Sequence, residues 1–253
     1  MNNDSLDIIS DHSTGSASLD TAISRAVLQR VSSGDLPETL EISRPHRSVA
    51  FGRHDALTEG FANAVDIALT QGFDPTIRIA GGRAVVFHRH IVRFAWTLPM
   101  TDPVLEMHDR FRTVAQHVIA TLGTFGVPAS VGELKNEYCP GVYSVHALDA
   151  GKVMGQGQRL GKHAAQVGGM IVVRDPVSVN EVLMPIYSSL GLAMDPSMTG
   201  SVSSHVDVDA DSLSGELIEQ FLAGRTYVDA SVDEATITLA REYQPDHDPR
   251  ILA

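Results

Sequence analysis

The sequence contains a single cysteine in 253 residues, so no disulfide can form within the chain. No apolar run approaches the roughly 18 residues that a membrane-spanning helix needs. The first 24 residues contain neither lysine nor arginine, and they lack the basic and apolar regions of a secretory signal. These absences predict a cytoplasmic protein with no membrane partner.

Positive charge is also scarce, since the formal net charge is −12 and the sequence pI is about 5.2. This balance argues against a general nucleic-acid partner. Two local groups of basic residues stand out, one formed by the four arginines between Arg78 and Arg93 and the other by Lys152, Arg159 and Lys162. Charge alone favours solvated loops there, although both segments are also compatible with an anionic ligand or an acidic partner.

The hydrophobic pattern predicts one α/β domain over residues 20–253, with a mixed sheet flanked by helices. Residues 1–19 are polar and rich in serine and aspartate, which predicts disorder. Helices are expected near 20–32, 62–72, 103–125, 176–190, 210–223 and 232–243. Strands are expected near 38–43, 47–52, 76–79, 84–87, 90–99, 142–148, 152–155 and 168–174.

Two adjacent glycines interrupt an apolar segment, RIAGGRAVVFH, at residues 78–88. Glycines here allow a ligand to lie against the main chain, and the flanking arginines are suited to a phosphate or carboxylate. A hairpin turn explains the same pair equally well. The spacing matches neither the dinucleotide-binding fingerprint nor the P-loop.

A second glycine-rich segment, GKVMGQGQR at residues 151–159, surrounds one lysine, and the only cysteine lies 13 positions before that lysine (152 − 139). A cation at Lys152 is suited to stabilise charge on a carbonyl or phosphoryl oxygen. From these residues alone, an exposed turn lysine and a small buried cysteine are the simpler interpretations. Pro140 and Gly141 indicate a loop, which favours a reactive thiol.

Metal chemistry is not expected. His88 and His90 alternate along a predicted strand and would share a face, as metal ligands often do. No third ligand follows at a suitable spacing, and neither GxSxG nor HExxH occurs in the sequence.

Together the two glycine segments resemble the signatures of the lipoate–protein ligase and octanoyltransferase family, which is related in fold to biotin–protein ligases. RIAGGRAVVFH is similar to its R-x-x-GG-x-(A/T)-V-x-H motif, and GKVMGQGQR to its G-K-x-x-G-(S/T)-(A/G)-Q-R motif. VGGMIVV and SVAFGRHDAL fit neighbouring strands. The likeness covers roughly residues 20–190 and implies the mixed sheet of class II biotin and lipoate ligases.

By position, the resemblance implies that Lys152 contacts the activated acyl carbonyl or its phosphate. It also implies that Cys139 forms an acyl thioester, as in octanoyltransferases with a cysteine ahead of the lysine. The remaining implied substrate-binding residues are Arg78, Gly81, Gly82, Arg83, His88, Gly155, Gln156, Gly157 and Gly168. Arg83 replaces a frequent third glycine, and Arg89 replaces the usual acidic residue.

The implied activity is protein lipoylation, the transfer of an octanoyl or lipoyl group to a lysine without a cofactor. Implied partners are the lipoyl domains of 2-oxoacid dehydrogenases or the glycine cleavage H protein, with acyl carrier protein as donor. The alternatives are an ATP- and Mg²⁺-dependent lipoate ligase, or a non-catalytic lipoyl-binding protein. Because Lys152 is predicted in a glycine-rich loop, its replacement by alanine should barely affect folding.

Overall fold

Eleven strands form two sheets in the computed structural model, which describes residues 5–10 and 12–252. Strands β1 to β11 span Ser5–Ser10, Thr39–Ser43, Ser48–Phe51, Asp74–Ile77, Val85–Phe87, Ile91–Pro99, Ala129–Val131, Val145–Ala147, Gly151–Leu160, Ala164–Val172 and Thr226–Ala230. The large sheet has the order β11-β1-β2-β6-β10-β9-β8-β7, and the small one the order β4-β3-β5. Parallel pairing of β1 with β11 and β2, beside antiparallel neighbours, makes the large sheet mixed, as predicted.

Helices flank both faces of the large sheet. Helices α1 to α7 span Ala17–Ser33, Phe61–Thr70, Met107–Thr124, Pro176–Ser189, Ala210–Leu222, Glu234–Tyr243 and Pro249–Leu252. Several begin at a side-chain cap: Ser16 accepts from the backbone N–H of Leu19, and Asp209 from that of Ser212. Such capping residues fix where each helix starts, and Gly34, with φ 84°, ends α1.

The core lies in two layers on opposite faces of the large sheet. On one face, α3 and α5 pack against β2 and β6 through a cluster that includes Val118, Phe221, Leu40 and Phe94. On the other face lie α1 and the small sheet, which α2 and α4 cover through a second cluster that includes Phe51 and Leu183. The space between α1, the small sheet and the large sheet is where the candidate site is found.

The N-terminal segment differs from its prediction. Residues 5–10 form β1, the strand between β11 and β2, instead of disordered chain, and α1 begins at Ala17. Leu6, Ile8 and Ile9 are each at most 4% exposed, so burial of these apolar side chains stabilises the strand. Because polar residues surround this short apolar run, the hydrophobic pattern did not predict a strand there. Residues 1–4 and 11 lie outside the described residues.

Strand β9, Gly151–Leu160, is longer than the strand predicted over 152–155, and it contains the whole glycine-rich segment that was also predicted to hold Lys152 in a loop. Strands β7 and β11 were not predicted; they have few buried residues and therefore little hydrophobic pattern. Among the helices of the described chain, none is both long and apolar enough to cross a membrane.

Substitution of Leu6 by alanine tests whether β1 belongs to the folded core. Leu6 is 0% exposed, so we expect Leu6→Ala to lower the free energy of unfolding by about 2–5 kcal/mol, measured by urea denaturation. Leu57→Ala is the matched control, because Leu57 is 82% exposed and its loss should matter by less than about 0.5 kcal/mol. Equal, small losses of stability in both variants would show that β1 is not part of the folded core and would favour the predicted disorder.

Candidate functional site

A pocket lies on the α1 face of the large sheet, and we call it the central pocket. Its floor is made by residues with small side chains on three neighbouring strands, because Ala95 of β6 pairs with Gly168 of β10, which pairs with Gly157 of β9. Residues of α1 and of the small sheet, such as Ala17, Ala50 and Val85, form the opposite wall. Since the glycines contribute no side chain, the sheet and the opposite wall leave a gap between them.

Cys139 lies at this pocket in the constrained loop between β7 and β8, residues 132–144, which we call the cysteine loop. Its backbone has a φ of 41°, in the left-handed region that non-glycine residues rarely adopt, and Asn136 has a φ of 62°. The backbone N–H of Cys139 donates to the Tyr187 hydroxyl at 2.7 Å, and that hydroxyl donates to the Ala84 carbonyl at 3.1 Å. Tyr187 therefore holds the cysteine loop against the glycine segment. Backbone strain of this kind persists where the surroundings enforce it.

The Cys139 thiol faces two hydrogen-bond donors. Nη2 of Arg78 lies 3.2 Å from Sγ, and the backbone N–H of Arg83 donates to Sγ at 3.3 Å. Gly82 has a φ of 104°, and a Cβ there would lie 2.0 Å from Nη2 of Arg78 and 2.8 Å from Sγ. Only glycine therefore lets the Gly81–Gly82 segment and the cysteine loop meet.

These donors favour the thiolate. Burial alone would raise the pKa of Cys139, but the positive charges of Arg78 and Lys152 and the two hydrogen bonds outweigh it. The pKa of the thiol consequently lies below its ordinary value. The same burial raises the pKa of Tyr187 well above its usual range, so its hydroxyl stays protonated and can donate to Ala84.

Lys152 is buried instead of lying on an exposed turn, with an exposure of 1%. Its Nζ lies 3.0 Å from Oε1 of Glu137, and it also donates to the carbonyls of Tyr138 at 2.9 Å and Cys139 at 2.7 Å. The three protons of the ammonium are thus matched by three acceptors on residues 137–139. The premise that Lys152 lies in a loop is wrong, because it is a buried residue of β9 and its ion pair ties the cysteine loop to that strand.

Glu137 is one of the site residues that the sequence interpretation missed. It is 1% exposed, and Oε1 also accepts from the Ser144 hydroxyl at 2.6 Å and from the backbone N–H of Gly141 at 3.1 Å. An acidic residue two positions before the only cysteine was visible in the sequence. The sequence did not show that Glu137 is buried, or that its partner is Lys152 of β9, 15 residues later in the chain.

The second glycine segment meets the first across the central pocket. A Cβ at Gly157 would lie 3.1 Å from Cβ of Ala80 and 3.3 Å from the carbonyl oxygen of Gly81. Gln156 lies between the glycines, but its side-chain amide donates to the carbonyls of Phe111 and Tyr143, at 3.0 Å each. It therefore fixes β9 against α3, while the glycines on either side leave the pocket open.

Most of the predicted site residues meet at the central pocket. Those that line it are Arg78, Cys139, Lys152, Gly155, Gln156, Gly157 and Gly168. Gly82 and Arg83 contact the cysteine from the side, and the guanidinium of Arg83 also pairs with buried Asp55 at 3.1 Å. The structure thus unites both glycine segments around one thiol.

His88 is the exception among the predicted site residues. It lies after β5 and lines a separate groove with His46, His90 and Asp175. Burial lowers its pKa, and its Nδ1 accepts from the backbone N–H of His90 at 3.2 Å. His88 therefore supports the β5–β6 turn and does not line the central pocket, so the structure does not place it with the other predicted substrate-binding residues.

Within the described residues no cluster of three or more His, Cys, Asp or Glu side chains is arranged to hold a metal ion. What the site offers is a thiol with a lowered pKa beside Arg78, at a narrow pocket with a largely apolar floor. This arrangement is suited to nucleophilic attack on an electrophilic carbon of a ligand that lies in the pocket.

Comparison with known families agrees with this arrangement. The profile of the lipoyl protein ligase A/B catalytic domain matches residues 16–222, which is most of the chain. The match includes the Cys139 loop, both glycine segments and every strand of the pocket floor.

Two curated relatives are bacterial acyltransferases. The chain is 23% identical over 159 residues to an octanoyl-[GcvH]:protein N-octanoyltransferase of Geobacillus kaustophilus, covering 63% of this chain and 54% of the relative. It is 22% identical over 227 residues to a lipoyl-[GcvH]:protein N-lipoyltransferase of Listeria monocytogenes, covering 86% and 81%. The chain thus spans about half the length of the first relative and most of the second.

Solved structures share the fold. A lipoate-protein ligase A bound with ATP superposes with a TM-score of 0.75 at 22% identity, covering 95% of this chain and 93% of that one. A bipartite lipoate protein ligase from Thermoplasma acidophilum gives a TM-score of 0.71 at 20% identity, covering 95% and 91%. The fold predicted from the sequence, that of biotin and lipoate ligases, is confirmed.

Removal of the Lys152 ammonium should destabilise the protein. Lys152→Ala leaves the Glu137 carboxylate buried without its cation, so we expect the free energy of unfolding to fall by about 3–5 kcal/mol in denaturant titration. Exposed Lys135 provides the control, since Lys135→Ala should change it by less than about 0.5 kcal/mol. Equal stability of the two variants would show that the ion pair does not anchor the loop.

The pH dependence of thiol alkylation tests the role of Arg78. Because Arg78 lowers the pKa of Cys139, iodoacetamide should react with the native protein along a curve whose midpoint lies below the ordinary thiol value of about 8.5. Arg78→Met should move that midpoint to higher pH. Arg89→Met, which removes an exposed arginine outside the central pocket, should leave it in place. An unshifted midpoint in Arg78→Met would contradict the proposed electrostatics.

Proposed function

We propose that this chain, which belongs to the lipoyl protein ligase A/B catalytic domain family, is an acyltransferase of protein lipoylation. In this proposal a single catalytic domain moves an octanoyl or lipoyl group from a carrier thioester or amide to the acceptor lysine of a lipoyl domain. The observation that carries the proposal is the geometry of Cys139, whose Sγ lines the central pocket and lies 3.2 Å from the Arg78 guanidinium.

The first half of the reaction forms an acyl-enzyme. The thiolate of Cys139 attacks the carbonyl carbon of the bound acyl group, and the bond from that carbon to the donor's sulfur or nitrogen breaks. The leaving group takes up a proton, and the acyl chain remains as a thioester on Sγ. Arg78 favours this step because its charge stabilises the thiolate before attack.

In the second half, the neutral amine of the acceptor lysine attacks the thioester carbon. The carbon–sulfur bond breaks, the amine loses one proton, and Cys139 is released as a thiolate. Lys152 contributes in both halves by holding the carbonyls of residues 138 and 139 in place, so that Sγ keeps one position through the cycle. Its role in the proposal is therefore positional as well as electrostatic.

The partners are inferred from the relatives, whose names assign them octanoyl or lipoyl transfer from GcvH. We propose the glycine cleavage H protein or another lipoyl domain as acceptor, and an acylated H protein or acyl carrier protein as donor. The transfer consumes neither ATP nor Mg²⁺, because a thioester donor is already activated and because exchange of the acyl group between two lysine amides is close to energetically neutral. A reducing cytoplasm, in which a free thiol persists, is the compartment that suits this chemistry.

Intact-mass measurement tests the covalent intermediate. Incubation with octanoyl–H protein or octanoyl–carrier protein should add one octanoyl mass, which hydroxylamine should remove as it does from thioesters. Cys139→Ser should not form the adduct, because a serine hydroxyl without a dedicated base is a poor nucleophile. Full transfer to a lipoyl domain by Cys139→Ser would rule out the covalent route.

The same protein distinguishes the ligase alternative. An ATP-dependent ligase would release pyrophosphate when incubated with ATP, Mg²⁺ and lipoate, and it would lipoylate its target even as Cys139→Ser. The transferase predicts no pyrophosphate release above background. A non-catalytic protein would bind a lipoyl domain in both forms without modifying it.

A further inference from the structure

The Lys152 ammonium has no proton left for the oxygen of a reacting acyl group. It carries three protons, and three acceptors on residues 137–139 take them, at 3.0 Å, 2.9 Å and 2.7 Å. Contact with a substrate oxygen would require one of these buried hydrogen bonds to break, which is costly. The negative charge that forms on the acyl oxygen during transfer therefore needs another donor.

Arg78 has a donor of this kind. Its Nε is buried and has no hydrogen-bond partner among the residues that the structure describes. Such donors are rare in folded proteins, because leaving a buried hydrogen bond unmade costs free energy. Arg78 and Cys139 both line the central pocket, so a group bound there can supply the missing acceptor.

The position of the Arg78 guanidinium relative to the thiol fits this contact. Nε and Nη2 lie along one edge of the planar guanidinium, and Nη2 is 3.2 Å from Sγ of Cys139. When Sγ bonds to an acyl carbon, the oxygen on that carbon is separated from the sulfur by a single atom. An edge that meets the sulfur through Nη2 can therefore meet the oxygen through Nε.

Negative charge moves from the sulfur to that oxygen during the reaction. The electron pair of the thiolate forms the bond from Sγ to the acyl carbon, and the π electrons of the carbonyl move onto its oxygen. When this tetrahedral intermediate collapses, the carbonyl forms again and the bond to the sulfur of a thioester donor breaks. The donor sulfur keeps the electron pair and takes a proton from water. A hydrogen bond to Nε is strongest while the oxygen is charged, so it stabilises the transition state more than the bound donor.

We propose that Arg78 is a catalytic residue that stabilises the oxyanion of acyl transfer through the edge formed by Nε and Nη2. This inference rests on the proposed acyl transfer through Cys139. It gives Arg78 a second role, beside its effect on the thiolate before attack. The backbone N–H of Arg83, which donates to Sγ at 3.3 Å, helps to keep the sulfur beside this edge.

Two reactions of the same thiol separate the two roles of Arg78. Iodoacetamide alkylation displaces iodide from a saturated carbon and forms no oxyanion, whereas acylation by octanoyl–H protein or octanoyl–carrier protein forms one. Both rates are measured above the pH midpoints of alkylation, where Cys139 is ionised in the native protein and in Arg78→Met alike. The maximal acylation rate of Arg78→Met, relative to its alkylation rate, should be about 10²–10³-fold below the native ratio, the usual loss for one oxyanion donor. Arg89→Met, which removes an exposed arginine outside the central pocket, should keep the native ratio.

Three results would contradict the account at different points. A native ratio in Arg78→Met would overturn the inference and leave the acyl transfer standing. A change only in the donor concentration that gives half-maximal acylation would assign Arg78 to donor binding and would also overturn it. If neither donor acylates the native protein, the covalent function on which the inference rests is overturned instead.

Arg78→Lys separates the paired donors from the positive charge. Lysine keeps a cation near Sγ, so the alkylation midpoint should stay below the ordinary thiol value of about 8.5. It lacks the planar edge, so the ratio of maximal acylation to alkylation should fall at least about 10-fold, the value of one charge-assisted hydrogen bond. A native ratio in Arg78→Lys would show that a positive charge is sufficient and would overturn the role assigned to the guanidinium edge.

Discussion

The buried ion pair between Lys152 and Glu137 is the interaction on which the geometry of the site depends. Both side chains are 1% exposed, and the pair links the middle of the sheet to a loop that has two left-handed residues. Lys152 also donates hydrogen bonds to the backbone carbonyls of Tyr138 and Cys139. Because a buried charge without its partner is costly, either side chain requires the other, and the loop is held as a consequence.

Other features of the site follow from that fixed loop. With residue 139 in place, Sγ meets Arg78 and the backbone N–H of Arg83, but only because Gly82 has no side chain to fill the space. Tyr187 completes the arrangement from α4 by accepting from the Cys139 N–H. The thiol is consequently partly buried and yet has a lowered pKa, two properties that oppose each other unless cations are close.

Much of this arrangement could be predicted from the sequence. The glycine segments, the single cysteine and the lysine were identified because their patterns are local, and the mixed α/β sheet followed from hydrophobic periodicity. Glu137, Tyr187 and Asp55 were not identified as part of the site, since their importance depends on burial and on partners from 15 to 48 residues away. Strand β1 was missed because Leu6–Ile9 is a short apolar run among polar residues. It forms a strand because it pairs with β2 and β11, which the local sequence does not show.

A double-mutant cycle between Lys152→Met and Glu137→Gln is the most direct measurement of whether the ion pair organises the site. Unfolding free energy and the rate of Cys139 alkylation at neutral pH would be determined for all four proteins. The structure predicts that each single variant loses stability and fast alkylation, and that the two changes are non-additive in stability by about 2 kcal/mol or more. Strictly additive effects, with alkylation unchanged in the single variants, would contradict a site held by this pair.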